Sequence, residues 1–167
     1  MKHKAVLTLI LVVMLAGAIV QPALANSSIM DQLTQVKDAT DQYHNLRTAQ
    51  SAGYNLVPGL DSCFNKPGVG AMGYHYINVA LLDTTVDPRK PEALVYGPGS
   101  NGKLALGAVE YIVPAAAWNA IHAQRPSLFG QTFELNQTLG VYTLHAWIWR
   151  QNSLGMFFDW NPKVSCP

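Results

Sequence analysis

The chain has 167 residues with a formal net charge of +1 at pH 7, 49% hydrophobic residues and two cysteines. That length fits one compact domain, and the near-neutral charge argues against a nucleic-acid partner. The only adjacent basic pair, Arg89-Lys90, sits between two prolines.

Lys2, His3 and Lys4 precede an apolar run from Ala5 to Val20, and Ala23-Leu24-Ala25 closes it. A basic start, a short apolar stretch and small residues two apart form a secretory signal, so cleavage is expected after Ala25. The mature chain is expected to be a single globular domain, 26–167, located outside the cytoplasm, either extracellular or periplasmic. No cysteine directly follows the cut, which argues against a bacterial lipid anchor, and no later stretch is long and apolar enough to span a bilayer. Cleavage also removes Lys2 and Lys4, leaving nine basic residues against ten acidic ones.

Ser28 with Asp31 reads as a capping pair, and apolar residues then recur every three or four positions through Leu33, Val36, Tyr43 and Leu46. One long amphipathic helix over about Ile29 to Ala52 is expected, stopped by Gly53. A Gly-, Pro- and Asn-rich loop follows, then a strand over Met72 to Val79. Ala93 to Tyr96 and Lys103 to Val113 read as two strands, and the Asn101-Gly102 step between them predicts a hairpin turn. The glycines of Gly97 to Gly102 also match a dinucleotide-binding pattern, but that pattern needs a helix next, and here a strand follows. Ala115 to Ala123 reads as a short helix, Arg125 to Gly140 as irregular and Val141 to Arg150 as a strand. Asn26-Ser27-Ser28 and Asn136-Gln137-Thr138 are glycosylation acceptors only in a eukaryotic source. The fold class is therefore α+β, with a long N-terminal helix on an antiparallel sheet of about four or more strands. In an oxidising compartment, Cys63 and Cys166 are expected to form one disulfide.

Strand parity singles out three ionisable residues. His75 alternates onto the face of Gly73, Ile77 and Val79. Glu110 shares a face with Leu104, Leu106, Ala108 and Ile112, and His145 shares one with Val141, Thr143, Trp147 and Trp149. Each interrupts an apolar face, where an unpaired carboxylate is strongly disfavoured. Two imidazoles and a carboxylate are also a ligand set for a divalent ion such as zinc, copper or iron. Three readings stand side by side: a metal site, a metal-free acid–base or ligand pocket, and a hydrogen-bonded structural pair. Tyr74, Tyr76, Tyr111, Trp147 and Trp149 are candidates for lining a pocket for an aromatic or apolar small molecule. Whether such a site is catalytic stays open, as does the alternative of an interaction module of the cell envelope.

The strings GAMGYHY at Gly70, PEALVY at Pro91, VEY at Val109, LHAWIW at Leu144 and Asn161-Pro162 through Cys166 resemble a group of secreted bacterial proteins of unassigned function. The resemblance spans about Thr40 to Cys166. It implies an exported bacterial protein and a shared fold, and supplies no reaction.

Overall fold

The computed structural model describes residues 28–100 and 102–167. The signal peptide expected over 1–25 and the expected mature start at Asn26 lie outside the described residues.

Helix α1, Ile29–Thr40, begins where the sequence places it. Ser28 Oγ accepts from Asp31 N–H and the Asp31 carboxylate accepts from Ser28 N–H, both at 3.1 Å. The single helix expected as far as Ala52 is not observed. A 3-10 turn over Asp41–His44 and a second helix α2, Leu46–Ser51, replace its second half. The physical reason is Asn45. Its extended backbone (φ −87°, ψ 106°) breaks the ladder, and its side-chain oxygen accepts from Arg47 N–H, which caps a new helix.

Strands β1 (Phe64–Lys66), β2 (Gly70–Ile77), β3 (Ala93–Pro98) and β4 (Leu104–Pro114) come next, then helix α3, Ala115–Ile121. The short pair β5 (Ser127–Leu128) and β6 (Gln131–Thr132) and strands β7 (Glu134–Asn136) and β8 (Val141–Ala146) complete the set. Six strands form one antiparallel sheet in the order β1-β2-β3-β4-β8-β7. The expected β3–β4 hairpin is present, with Gly99 N–H donating to Lys103 O at 2.7 Å. The stretch read as irregular, 125–140, holds three strands too short to show a periodicity.

The sheet separates two layers. One face carries Tyr76, Leu94, Tyr96, Val109, Tyr111, Tyr142 and Leu144 into the larger core, against which Leu33, Val36, Tyr43 and Leu46 of the N-terminal helical segment pack. This is the helix–sheet contact the apolar stripe predicts. Leu33→Asp should therefore lower stability by about 2–4 kcal/mol or more, because it sets an uncompensated charge beside fully buried Val36. Urea denaturation measures it. A variant as stable as the parent would mean that this stripe does not support the core.

The opposite face carries Ala71, Val95, Ala108 and Trp147, covered by Val164 of the C-terminal tail. Beside them lie Ile77, Ala93 and Ile112, covered by Val57 and Leu60. The tail is held in place at several points. Ala71 and Asn161 exchange backbone hydrogen bonds, and Cys63 is bonded to Cys166 with a Cα–Cα distance of 5.6 Å. The disulfide forms as the sequence predicts. Closing a loop of 103 residues contributes about 4–5 kcal/mol in the chain-entropy account. No described helix is long and apolar enough to cross a membrane.

Candidate metal centre

The register explains how three distant residues meet. Ile77 of β2 pairs with Ala93 of β3, Ala93 with Glu110 of β4, and Glu110 with His145 of β8, so these residues form one row across the sheet. His75 lies one same-face step from Ile77 and pairs with Val95. Strands two apart are separated by about 9.6 Å, so His75 and Glu110 must reach toward each other over β3. The small, fully buried Ala93 leaves them room.

The result is a compact group. One ligand atom from each of His75, Glu110 and His145 lies within 4.8 Å of the others, and all three residues are buried, with exposures of 6%, 9% and 1%. His75 Nε2 is 3.4 Å from Glu110 Oε2, and His145 Nδ1 is 3.6 Å from Glu110 Oε1. The two imidazoles meet edge to face, with ring centroids 5.3 Å apart. Phe64 of β1 closes one side, edge to face with His75 at 5.3 Å, and Trp147 lies over His145 at 5.9 Å with the planes nearly parallel.

Polar satisfaction is incomplete. His75 Nδ1 and both nitrogens of His145 are buried with no hydrogen-bond partner. Native interiors seldom leave such groups unpaired. Burial holds His75 down at about 4 and His145 well below the usual histidine range, so both are neutral at pH 7. Burial pushes Glu110 up to about 8, with the negative charges of Asp159 and Glu92 adding to the effect. At neutral pH the group is thus uncharged, with one proton on the carboxyl. Neutral imidazoles are the form that binds metal.

The aromatic residues considered as pocket-lining candidates do not all reach this face. Trp147 does. Tyr76 and Tyr111 are buried on the opposite face, and Tyr74 packs partly buried against that same core, as alternation from His75 and Glu110 requires. Tyr111 donates to Pro88 O at 2.8 Å instead. Trp149 is a correction to the parity reading. The strand expected to run to Arg150 ends at Ala146, the amides of Trp149 and Arg150 both donate to Gly107 O, and the turn sends the indole to the helix side. There Trp149 Nε1 donates to Thr40 Oγ1 and its ring meets His44. Leu104 and Leu106 also leave the face of Glu110. Val95 pairs with Ala108 but Tyr96 with Leu106, so Gly107 is an extra residue that reverses the alternation there.

One participant carried no sequence signal. Asp159, on the irregular C-terminal tail, places Oδ1 3.8 Å from His145 Nδ1. No periodicity applies to such a segment, so nothing in the sequence directs that carboxylate to the sheet.

The spacing is compatible with a bound metal ion. Ligand atoms about 2.1 Å from a tetrahedral ion stand about 3.4 Å apart, close to the separations seen across the Glu110 carboxylate. His75, Glu110 and His145 therefore form a His/Glu/His group that could hold a metal ion. No protein-family model, curated protein or solved structure matches the chain, so this assignment rests on the residues themselves.

Proposed function

We propose that this chain is an exported metal-binding domain in which His75, Glu110 and His145 ligate one divalent ion, with zinc, copper and iron suited to the donor set. The observation that carries the reading is a pair of buried imidazoles beside a carboxyl group, with three of their four nitrogens, His75 Nδ1 and both of His145, lacking a hydrogen-bond partner. A structural hydrogen-bond network would satisfy its members. The disulfide supports export, since such bonds persist in oxidising compartments.

A metal-free pocket built on the aromatic residues draws little support. Tyr76, Tyr111 and Trp149 are engaged in the helix-side core and cannot face a ligand on the other surface of the sheet.

The test is elemental analysis of exported protein purified without chelator or nickel resin, followed by titration with zinc, copper(II) and iron(II). Near-stoichiometric metal supports the proposal. Protein that is metal-free and takes up none of the three ions overturns it.

Binding should release protons with a defined pH dependence. The imidazoles are already neutral, so near pH 7 the ion displaces about one proton, that of Glu110. Affinity should rise about tenfold per pH unit up to about pH 8 and then level off. Calorimetry in buffers of different ionisation enthalpy counts the protons. Release of two or more would show that an imidazole is charged before binding.

A further inference from the structure

Three protein ligands leave zinc an open coordination position, whereas four close the site. What occupies the fourth position therefore decides whether an ion here is merely held or also exposed to solvent, and the C-terminal tail carries an acidic side chain, Asp159, at that edge.

His145 Nδ1, buried and without a hydrogen-bond partner, stands 3.6 Å from Glu110 Oε1 and 3.8 Å from Asp159 Oδ1. One nitrogen is thus flanked by two carboxylates at separations expected of neighbouring ligands. Asp159 shares only the His145 edge of the group, and its side chain is half exposed. Its backbone, by contrast, is pinned on both sides. Phe158 O accepts from Trp147 Nε1 at 2.7 Å, and Asn152 Nδ2 donates to Phe158 O and Trp160 O at 3.0 Å each. Asn161 is tied to Ala71 of β2.

We propose, building on the metal reading of the same group, that Asp159 is a fourth ligand to the ion bound by His75, Glu110 and His145. Charge favours this arrangement. A divalent ion with Glu110 alone leaves a net positive charge buried against the sheet, and a second carboxylate neutralises it. All four ligands then come from the protein, so the ion is held rather than left to activate a water molecule.

The experiment compares Asp159→Asn and Asp159→Ala with the parent in titrations with Zn2+ and Co2+, the latter read by its visible spectrum. Asp159 is half exposed, so both variants should fold, and melting in chelator checks this. Both should lose Zn2+ affinity by on the order of tenfold or more, since removing even an outer partner of a ligand costs 10–100-fold. The visible Co2+ band should change in position and intensity as water replaces the carboxylate in the ligand set. If the parent binds neither ion but takes up copper(II) or iron(II), only this proposal is overturned; if it takes up none of them, the metal reading falls with it. If the parent binds and the variants match it, only this proposal is overturned. Lower affinity with an unchanged Co2+ spectrum would make Asp159 a distant charge and would overturn its role as a ligand.

Discussion

In Glu110→Gln, metal uptake is expected to be lost while the protein without metal becomes more stable at pH 8 than its parent. Glu110 is protonated up to about pH 8 in the fold and only to about 4.5 when exposed. An acid whose folded pKa is raised contributes stability that is complete below the unfolded value and is lost as pH rises through the folded one. Glu92 behaves similarly. It is buried, its carboxylate accepts from Ile112 N–H at 2.9 Å, and burial pushes it up to about 8. His75 acts in the opposite sense. Its folded pKa of about 4 gives stability present above about 6.5 and lost as pH falls toward 4. Burial holds His145 well below the usual histidine range as well, so between 4.5 and 6.5 the slopes of two carboxyls and two imidazoles largely cancel. From 6.5 to 8 only the carboxyl losses remain, so the parent should grow steadily less stable over that window.

Glutamine removes one of the two carboxyl contributions. The decline from pH 6.5 to 8 should roughly halve, and at pH 8 the variant should be more stable by on the order of 2–4 kcal/mol. Its amide can still donate to the neutral imidazoles, so packing is retained. With metal at a hundred times its Kd the parent gains about 2.7 kcal/mol, or roughly 8–10 °C in Tm, and the variant gains nothing. Thermal melts at pH 6.5 and 8, with chelator and with zinc, test all of this. A variant destabilised by several kcal/mol at both pH values, from a parent that never responds to metal, would mean that the group is a structural network.

Gly73→Ala should destabilise the protein by about 3–5 kcal/mol. Two costs combine. Gly73 has φ +113°, where side chains are strained, and a Cβ there would lie 2.4 Å from the Tyr96 carbonyl oxygen on β3. That oxygen is backbone in a paired strand, so it cannot yield without disturbing the Tyr74–Tyr96 pairing. The matching control is Gly68→Ala. Its φ is +78° but no atom lies within 4 Å of the added carbon, so only backbone strain of about 1 kcal/mol applies. Because His75 is two residues from Gly73, the first variant should also bind metal more weakly. Equal destabilisation of the two variants in urea would show that the close approach of β2 and β3 is not what requires glycine at position 73.

Much of this architecture is legible in local patterns. The cap at Ser28, the apolar spacing through Val36, the Asn-Gly turn and the isolated cysteine pair depend on residues near one another or on a unique pairing, so the helix start, the β3–β4 hairpin and the disulfide follow from them. Strand parity brought His75, Glu110 and His145 to one face because alternation has a period of two wherever a ladder is regular. It failed where the ladder is not regular: at Gly107, which reverses the face of Leu104 and Leu106, and beyond Ala146, where the turn carries Trp149 to the helix side. The apolar spacing runs unbroken across Asn45, so it hides the division of the first helix there, although the Asn45 side chain caps α2 through a local bond from Arg47 N–H. Local spacing was enough to show which chemical groups each strand presents and that two cysteines join the tail to the first loop. Tertiary structure alone decided that β2 and β4 sit one strand apart over Ala93, close enough for an imidazole and a carboxyl to meet. It also brought Asp159 to the edge of the site, because strand order and tail placement arise from packing between distant segments and leave no trace in local spacing.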